Sequence, residues 1–374
     1  MNYEAIGFVD FYNEPSLGEI TENRTLGSTS FLGRYAFCDF ALSNFTNSGI
    51  LNVGLLIKDH QRSVLKHLGN MSAWVTNTKI GKQTIMYNEQ GILNPYLNTD
   101  IANLRQNDWA LYDSSASYLI FQSTHVIANV DLRPIIAEHI ARGEKITVVA
   151  NKIKDASKEF LNDNLFRIDG DGYLTGIKKN DRQKEEALAS MSIWIINRTV
   201  LAEIIAKRAV WNERAGMKEM LVDLLQDGVY KIHCHIWEGE YVRSFDSYDH
   251  YVEYSLEMLN PARIKALFTE DWPHYTLTHD TPPALYSDGA SVSNSFVSNG
   301  AIVAGTVVNS IISRHVKIAK GAVIRNAIIF SSVAIDENCV VENAVIDKYS
   351  ILQKDRAFQG DPSKFVFLKQ GSIL

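Results

Sequence analysis

Three asparagines constrain the second half of this chain more than any other feature. In Val308-Asn-Ser-Ile-Ile312, Ile324-Arg-Asn-Ala-Ile-Ile329 and Val341-Glu-Asn-Ala-Val-Ile346, residues Asn309, Asn326 and Asn343 recur 17 residues apart. Ile318 and Ile335 keep the same interval between them, and Val292-Ser-Asn-Ser-Phe-Val297 is an earlier, imperfect unit. Aliphatic residues return about every six positions, with no helical period, which fits three short strands per coil of a parallel β-helix. Each coil buries its aliphatics inward and stacks on the next, so several copies are needed for stability. A β-sandwich with chance similarity has no reason to keep this interval.

Upstream the pattern changes. Short apolar runs at 50–57, 118–122 and 145–150 read as buried strands, and amphipathic stretches at 39–48, 134–142 and 217–226 read as helices. Gly49, Gly143 and Gly228 follow those helices as stop signals. Alternating strands and helices imply parallel strands joined by crossover helices, so residues 1–260 form a doubly wound, Rossmann-like α/β domain. Four of the eight prolines, Pro261, Pro273, Pro282 and Pro283, fall in one stretch, which marks 261–283 as a linker because proline blocks helix and stiffens a connection. Residues 284–374 then form a left-handed β-helix.

The 374 residues suffice for two such units. A formal net charge of −6 and the lack of a dense basic stripe argue against a nucleic-acid partner. Cys38, Cys234 and Cys339 are few, odd in number and far apart, as expected of reduced thiols in a cytoplasmic protein. Glu4 and Asp10 stand where a signal peptide would be basic and apolar. No apolar run reaches the ~18 residues of a membrane span.

The first strand opens into Asp10-Phe-Tyr-Asn-Glu-Pro-Ser-Leu17, and Phe31-Leu-Gly-Arg-Tyr-Ala-Phe-Cys-Asp-Phe-Ala-Leu-Ser-Asn44 follows. The second run, with Asn47-Ser-Gly-Ile50, Leu188-Ala-Ser-Met-Ser192 and Ala344-Val-Ile-Asp-Lys348, resembles the sugar-nucleotide pyrophosphorylases. The two-domain layout is similar to the bacterial ADP-glucose pyrophosphorylases, which join ATP and glucose 1-phosphate into ADP-glucose and pyrophosphate. The resemblance covers nearly the whole chain.

In that family a Gly-Gly-x-Gly-x-Arg loop closes its backbone amides on the nucleotide triphosphate. The matching places here are Phe11, Tyr12, Glu14 and Ser16. Glycine lets bare backbone approach phosphate, and arginine is its usual charged partner. Two aromatics, a carboxylate and a hydroxyl do neither. Asn23 and Arg24 keep the next block of the family's loop, while Leu26 replaces its lysine.

The remaining family positions have also lost charge. The two aspartates that hold Mg²⁺ align with Thr124 and Ser244, and a hydroxyl is a weaker, neutral ligand for a hard cation. Asp246 lies two places beyond Ser244, roughly 6 to 7 Å along an extended segment, which is a poor place from which to replace it. The lysine that pairs with the sugar phosphate aligns with Asn180, while Ser190 and Met191 keep the Leu-Ala-Ser-Met block. A further sugar-nucleotide block aligns with Thr99-Asp-Ile-Ala-Asn-Leu104. Because this reaction depends on neutralising phosphate charge, the resemblance implies no intact catalytic residue and no metal or other cofactor bound by this chain.

Such erosion resembles the GlgD-type companion subunits of glycogen synthesis. The implied partner is a catalytic ADP-glucose pyrophosphorylase subunit, which itself uses Mg²⁺, in a heterotetramer; alone, the chain can form homo-oligomers. The competing reading is a working nucleotidyltransferase with altered metal or substrate use. Arg314, Lys317, Lys320 and Arg325 are either a seat for a phosphorylated metabolite effector or a solvated edge. His233-Cys-His235 reads as a packed strand without a second ligand pair, and Arg243 and His125 read as site remnants with structural hydrogen bonds.

Overall fold

A computed structural model of the chain describes residues 4–75, 81–89, 93–112, 114–208 and 215–374. Its first half is built on a nine-stranded mixed sheet. Strands β1 (Ala5–Asp10), β2 (Ser30–Phe31), β3 (Tyr35–Ala36), β4 (Asn52–Ile57), β5 (Lys82–Tyr87) and β6 (Tyr118–Ser123) come first. β7 (Val126–Ala128), β8 (Ile146–Ile153), β9 (Asn164–Ile168), β10 (Leu174–Lys179), β11 (Ala187–Asn197), β12 (Ile232–Trp237) and β13 (Val242–Ser244) follow. The sheet runs β10-β9-β11-β6-β1-β4-β5, with β8 also paired to β11 and β12 paired to β8. β6, β1, β4 and β5 are parallel, and every residue of β1 is buried, as expected of a strand covered by helices on both faces.

The register of this parallel core positions the site. Asp10 at the end of β1 lies beside Ser123 at the end of β6 and beside Leu56 of β4. The loops after β1 and β6 therefore leave from one edge, the carboxyl end of the parallel strands, where open α/β sheets place their ligand crevices.

The C-terminal part is a left-handed parallel β-helix whose short strands stack in register, for example Lys317, Ala334 and Ile351 on one face. Each 17-residue coil has three corners, and each corner holds a residue at positive φ. Asn309, Asn326 and Asn343 form one row, His315, Ser332 and Tyr349 a second, and Gly321, Asn338 and Asp355 a third. Asparagine tolerates the left-handed conformation better than most residues because its short amide bonds locally. The first row is also a ladder: Asn309 donates to Asn326 and Asn326 to Asn343, each at 3.2 Å, and Asn343 donates to the Gly360 carbonyl at 3.0 Å. Inside, Ile312, Ile329 and Ile346 and then Ile318, Ile335 and Leu352 stack as layers.

The segment 261–283 differs from a plain proline linker. Its first part is a helix, Pro261–Leu267, with proline in the first turn, where its missing N–H costs nothing, and Asn260 capping it. The rest is a strap held against helix α1 (Phe37–Asn47). Trp272 Nε1 donates to Asn44, Asn47 to the Pro273 carbonyl and the Tyr275 N–H to Ser43, all at 2.9 Å. The two halves share one core, in which Phe31, Phe37, Phe245 and Tyr251 meet Ile311, Ile328, Phe330 and Val345. Among the described residues no helix is long and apolar enough to cross a membrane.

Candidate functional site

The loop after β1 is filled by its own side chains. Phe11 and Tyr12 are buried. The Tyr12 hydroxyl donates to Asn98 (3.0 Å) and accepts from Asn103 (3.1 Å). Asn13 bridges two acids, donating to Asp10 (2.7 Å) and Asp100 (2.9 Å). Asp100 also accepts the N–H groups of Ile101 (2.7 Å) and Met217 (2.9 Å). Burial and the neighbouring Asp10 push the Asp100 carboxyl up to about 7, and burial raises Asp10 as well.

Glu14 lies at the centre. As a residue it keeps partial exposure, but its carboxyl turns inward and accepts the Leu26 and Gly27 N–H groups at 2.8 Å each. The Thr124 hydroxyl donates to the same group. Burial pushes this carboxyl up to about 8, while the three donors pull it back toward the ionised form. Every one of these contacts is a donor, the arrangement a carboxylate needs. Gly27 is required by close approach: a Cβ there would stand 2.4 Å from the Phe11 ring and 2.8 Å from Glu14 Oε1.

The two positions matched to metal ligands are spoken for. Thr124 is buried against Glu14. Ser244 donates to Asp163 (2.6 Å), whose other oxygen meets His125 Nε2 (2.8 Å), and His125 Nδ1 meets Ser123 (2.7 Å). Ser123, His125, Asp163 and Ser244 are all sealed from solvent, so this chain of bonds joins the β6 and β13 ends rather than meeting a substrate. The His125 contacts and the Ser244 bond hold the Asp163 carboxyl below its usual range, against the effect of burial. Asp246 is no substitute for Ser244: its oxygens accept the Leu161 N–H (2.6 Å) and pair with His250 Nδ1 (2.7 Å).

Asn180 acts as a staple. Its amide donates to the carbonyls of Ala156, Glu159 and Phe160 at 2.8, 3.1 and 3.0 Å, and its oxygen accepts the Arg182 N–H at 2.8 Å. Ser190 accepts the Ser192 N–H (3.1 Å) at a bulge in β11, and Met191 is buried in the core. Ser16 is exposed and accepts only the Gly18 N–H (3.2 Å) as a backbone partner.

Asn23 is exposed, whereas Arg24 points away from the pocket into the β-helix. It pairs with Asp347 at 2.7 Å with both side chains buried, donates to Gln370 at 3.0 Å and lies over the Phe330 ring. Thr99 caps the helix Asp100–Gln106. Of the other candidates, Arg243 forks onto Glu257 at 2.8 and 3.0 Å, and His235 bonds Glu138 at 2.5 Å. Asp163, which carries no motif, and the amides that Glu14 reaches leave no signal in the sequence.

This frame decides the family. Residues 17–236 match the nucleotidyl transferase family, and residues 283–364 match the GlmU-like, C-terminal hexapeptide family. The chain belongs to the nucleotidyl transferases. It is 28% identical over 328 residues to the glucose-1-phosphate adenylyltransferase of Thermotoga maritima, covering 82% of this chain and 73% of that one. It is 25% identical over 327 residues to the glycogen biosynthesis protein GlgD of Bacillus subtilis, covering 86% and 82%. The GlgD of Geobacillus stearothermophilus gives 25% over 333 residues, with 87% and 84% covered.

Proposed function

We propose that this chain is a regulatory, catalytically impaired subunit of a glucose-1-phosphate adenylyltransferase in glycogen biosynthesis, working by binding a catalytic homologue in a heterotetramer. The observation that carries the reading is the Glu14 carboxylate, bonded to the Leu26 and Gly27 amides where a nucleotide phosphate would need donors. Placing triphosphate there would bring its charge against three buried acids, Glu14, Asp10 and Asp100, with Lys218 as the cation that acts on Asp10. Thr124, Ser244 and Asn180 are engaged in internal bonds and supply neither a carboxylate for Mg²⁺ nor a cation for a sugar phosphate, and these electrostatic terms are each worth several kcal/mol of barrier.

A phosphorylated effector also has a place in this reading. Arg34 and Arg314 line a cavity of about 340 Å³ with Tyr35, Phe268 and Phe296, and neither forms an ion pair among the described residues. Burial and the neighbouring Arg34 hold the Arg314 guanidinium below its usual range, so an anion there would be welcome. Such an effector would act on the partner by biasing a shared conformational equilibrium.

The identity to enzymes named glucose-1-phosphate adenylyltransferase favours a second reading, a working enzyme with altered metal or substrate use. The partner experiment bears on the first. Mixed with a catalytic homologue, the chain co-elutes with it and changes its rate, substrate saturation or effector response. Separate elution with unchanged kinetics contradicts the subunit reading.

A further inference from the structure

The carboxylate of Glu14 does more than exclude phosphate. Two adjacent backbone N–H groups, Leu26 and Gly27, converge on it at 2.8 Å, and the Thr124 hydroxyl closes the third side. Successive amides turned toward one point form an anion-binding concavity, and charged acceptors make the strongest bonds to them. Phe11 packs over Gly27 with no room for a Cβ between them. The cradle is thus assembled and occupied, and its occupant is a covalent part of the loop it organises.

We propose that the Glu14 carboxyl is a built-in acceptor standing in for a nucleotide phosphate, so that the chain closes its own former nucleotide site and holds that loop permanently in a ligand-bound arrangement. The inference rests on reading this loop as a lost phosphate loop. An intramolecular carboxylate competes at an effective concentration of roughly millimolar or above, so free phosphate compounds at ordinary concentrations do not displace it. The protein would then present its partner with the shape of a loaded subunit whatever the nucleotide supply.

Removal of the carboxylate leaves an empty cradle that a small anion can refill. Glu14→Gly melts roughly 2 to 6 °C below the natural chain. Sodium acetate or inorganic phosphate, at ionic strength matched with chloride, restores part of that loss in Glu14→Gly and leaves the natural chain unmoved. Glu14→Gln, which keeps the shape but replaces one acceptor oxygen with a donor, also melts lower and gains less from either anion. Equal melting of Glu14→Gly and the natural chain overturns the proposal, as does an anion effect of the same size on both. Should Glu14→Gly not fold, Glu14→Gln melting with the natural chain overturns it. No partner and no turnover enter this assay, so its failure is distinguishable from failure of the subunit reading.

Discussion

Two regions of this molecule bury charge in opposite ways. Where the α/β half meets the β-helix, Arg24 and Asp347 pair at 2.7 Å with both side chains hidden. In the crevice at the end of β1, Asp10, Glu14 and Asp100 crowd together with neutral hydrogen-bond donors against them, and burial raises all three even though Lys218 acts on Asp10. In a nucleotide-binding enzyme the demand for cations lies in the crevice. Here the one arginine kept from the family's first loop serves the junction. The comparison teaches that opposite charges are placed to hold the two halves together, and that the crevice is organised to be full.

The largest test breaks the junction. Arg24→Ala leaves Asp347 buried without its partner, an arrangement that costs about 3 to 5 kcal/mol. Urea denaturation should show the midpoint falling accordingly, and an unchanged midpoint would mean the pair holds nothing.

A smaller loss is expected along the β-helix, which contrasts with the crevice by meeting its polar needs without charge. Asn326 has φ 45° and two ladder bonds of 3.2 Å. Asn326→Ala incurs both the left-handed penalty and the lost bonds, about 2 to 3 kcal/mol. Asn326→Gly keeps the conformation and loses only the bonds, so it should be roughly half as damaging by the same measurement.

The smallest effect sharpens the crevice side. Burial pushes the Glu14 carboxyl up to about 8 from its ordinary value of 4.5. Between those values the folded state holds more protons, so this group's contribution is present below about 4.5 and is lost as pH rises through 8. Denaturation midpoints should decline across that window. Glu14→Gln should flatten the decline in part, because Asp100, raised to about 7, acts in the same direction and remains. An identical profile would show that Glu14 does not titrate as described.

The β-helix was legible because its physics repeats: a corner every few residues demands the same tolerant side chain, and Asn309, Asn326 and Asn343 expose the interval. The strands and helices of the first half were legible from apolar runs and glycine stops, with ends shifted by one to three residues, as where the strand expected at 50–57 begins at Asn52 and the one expected at 145–150 runs on to Ile153. The strap was not, because its partners Ser43, Asn44 and Asn47 lie more than 200 residues away. In the crevice, the neutral side chains of Thr124, Asn180 and Ser244 could be read from the sequence, but not what each of them bonds. Glu14 reads in isolation as a repelling charge, and only folding brings the amides of residues 26 and 27 to it.

The central claim, that the crevice is given up and the chain acts through another, meets its most direct test in pyrophosphate release. Purified alone with Mg²⁺, ATP and glucose 1-phosphate, the chain should release none above background at any enzyme concentration tried. Turnover that scales with the amount of this chain would contradict the account.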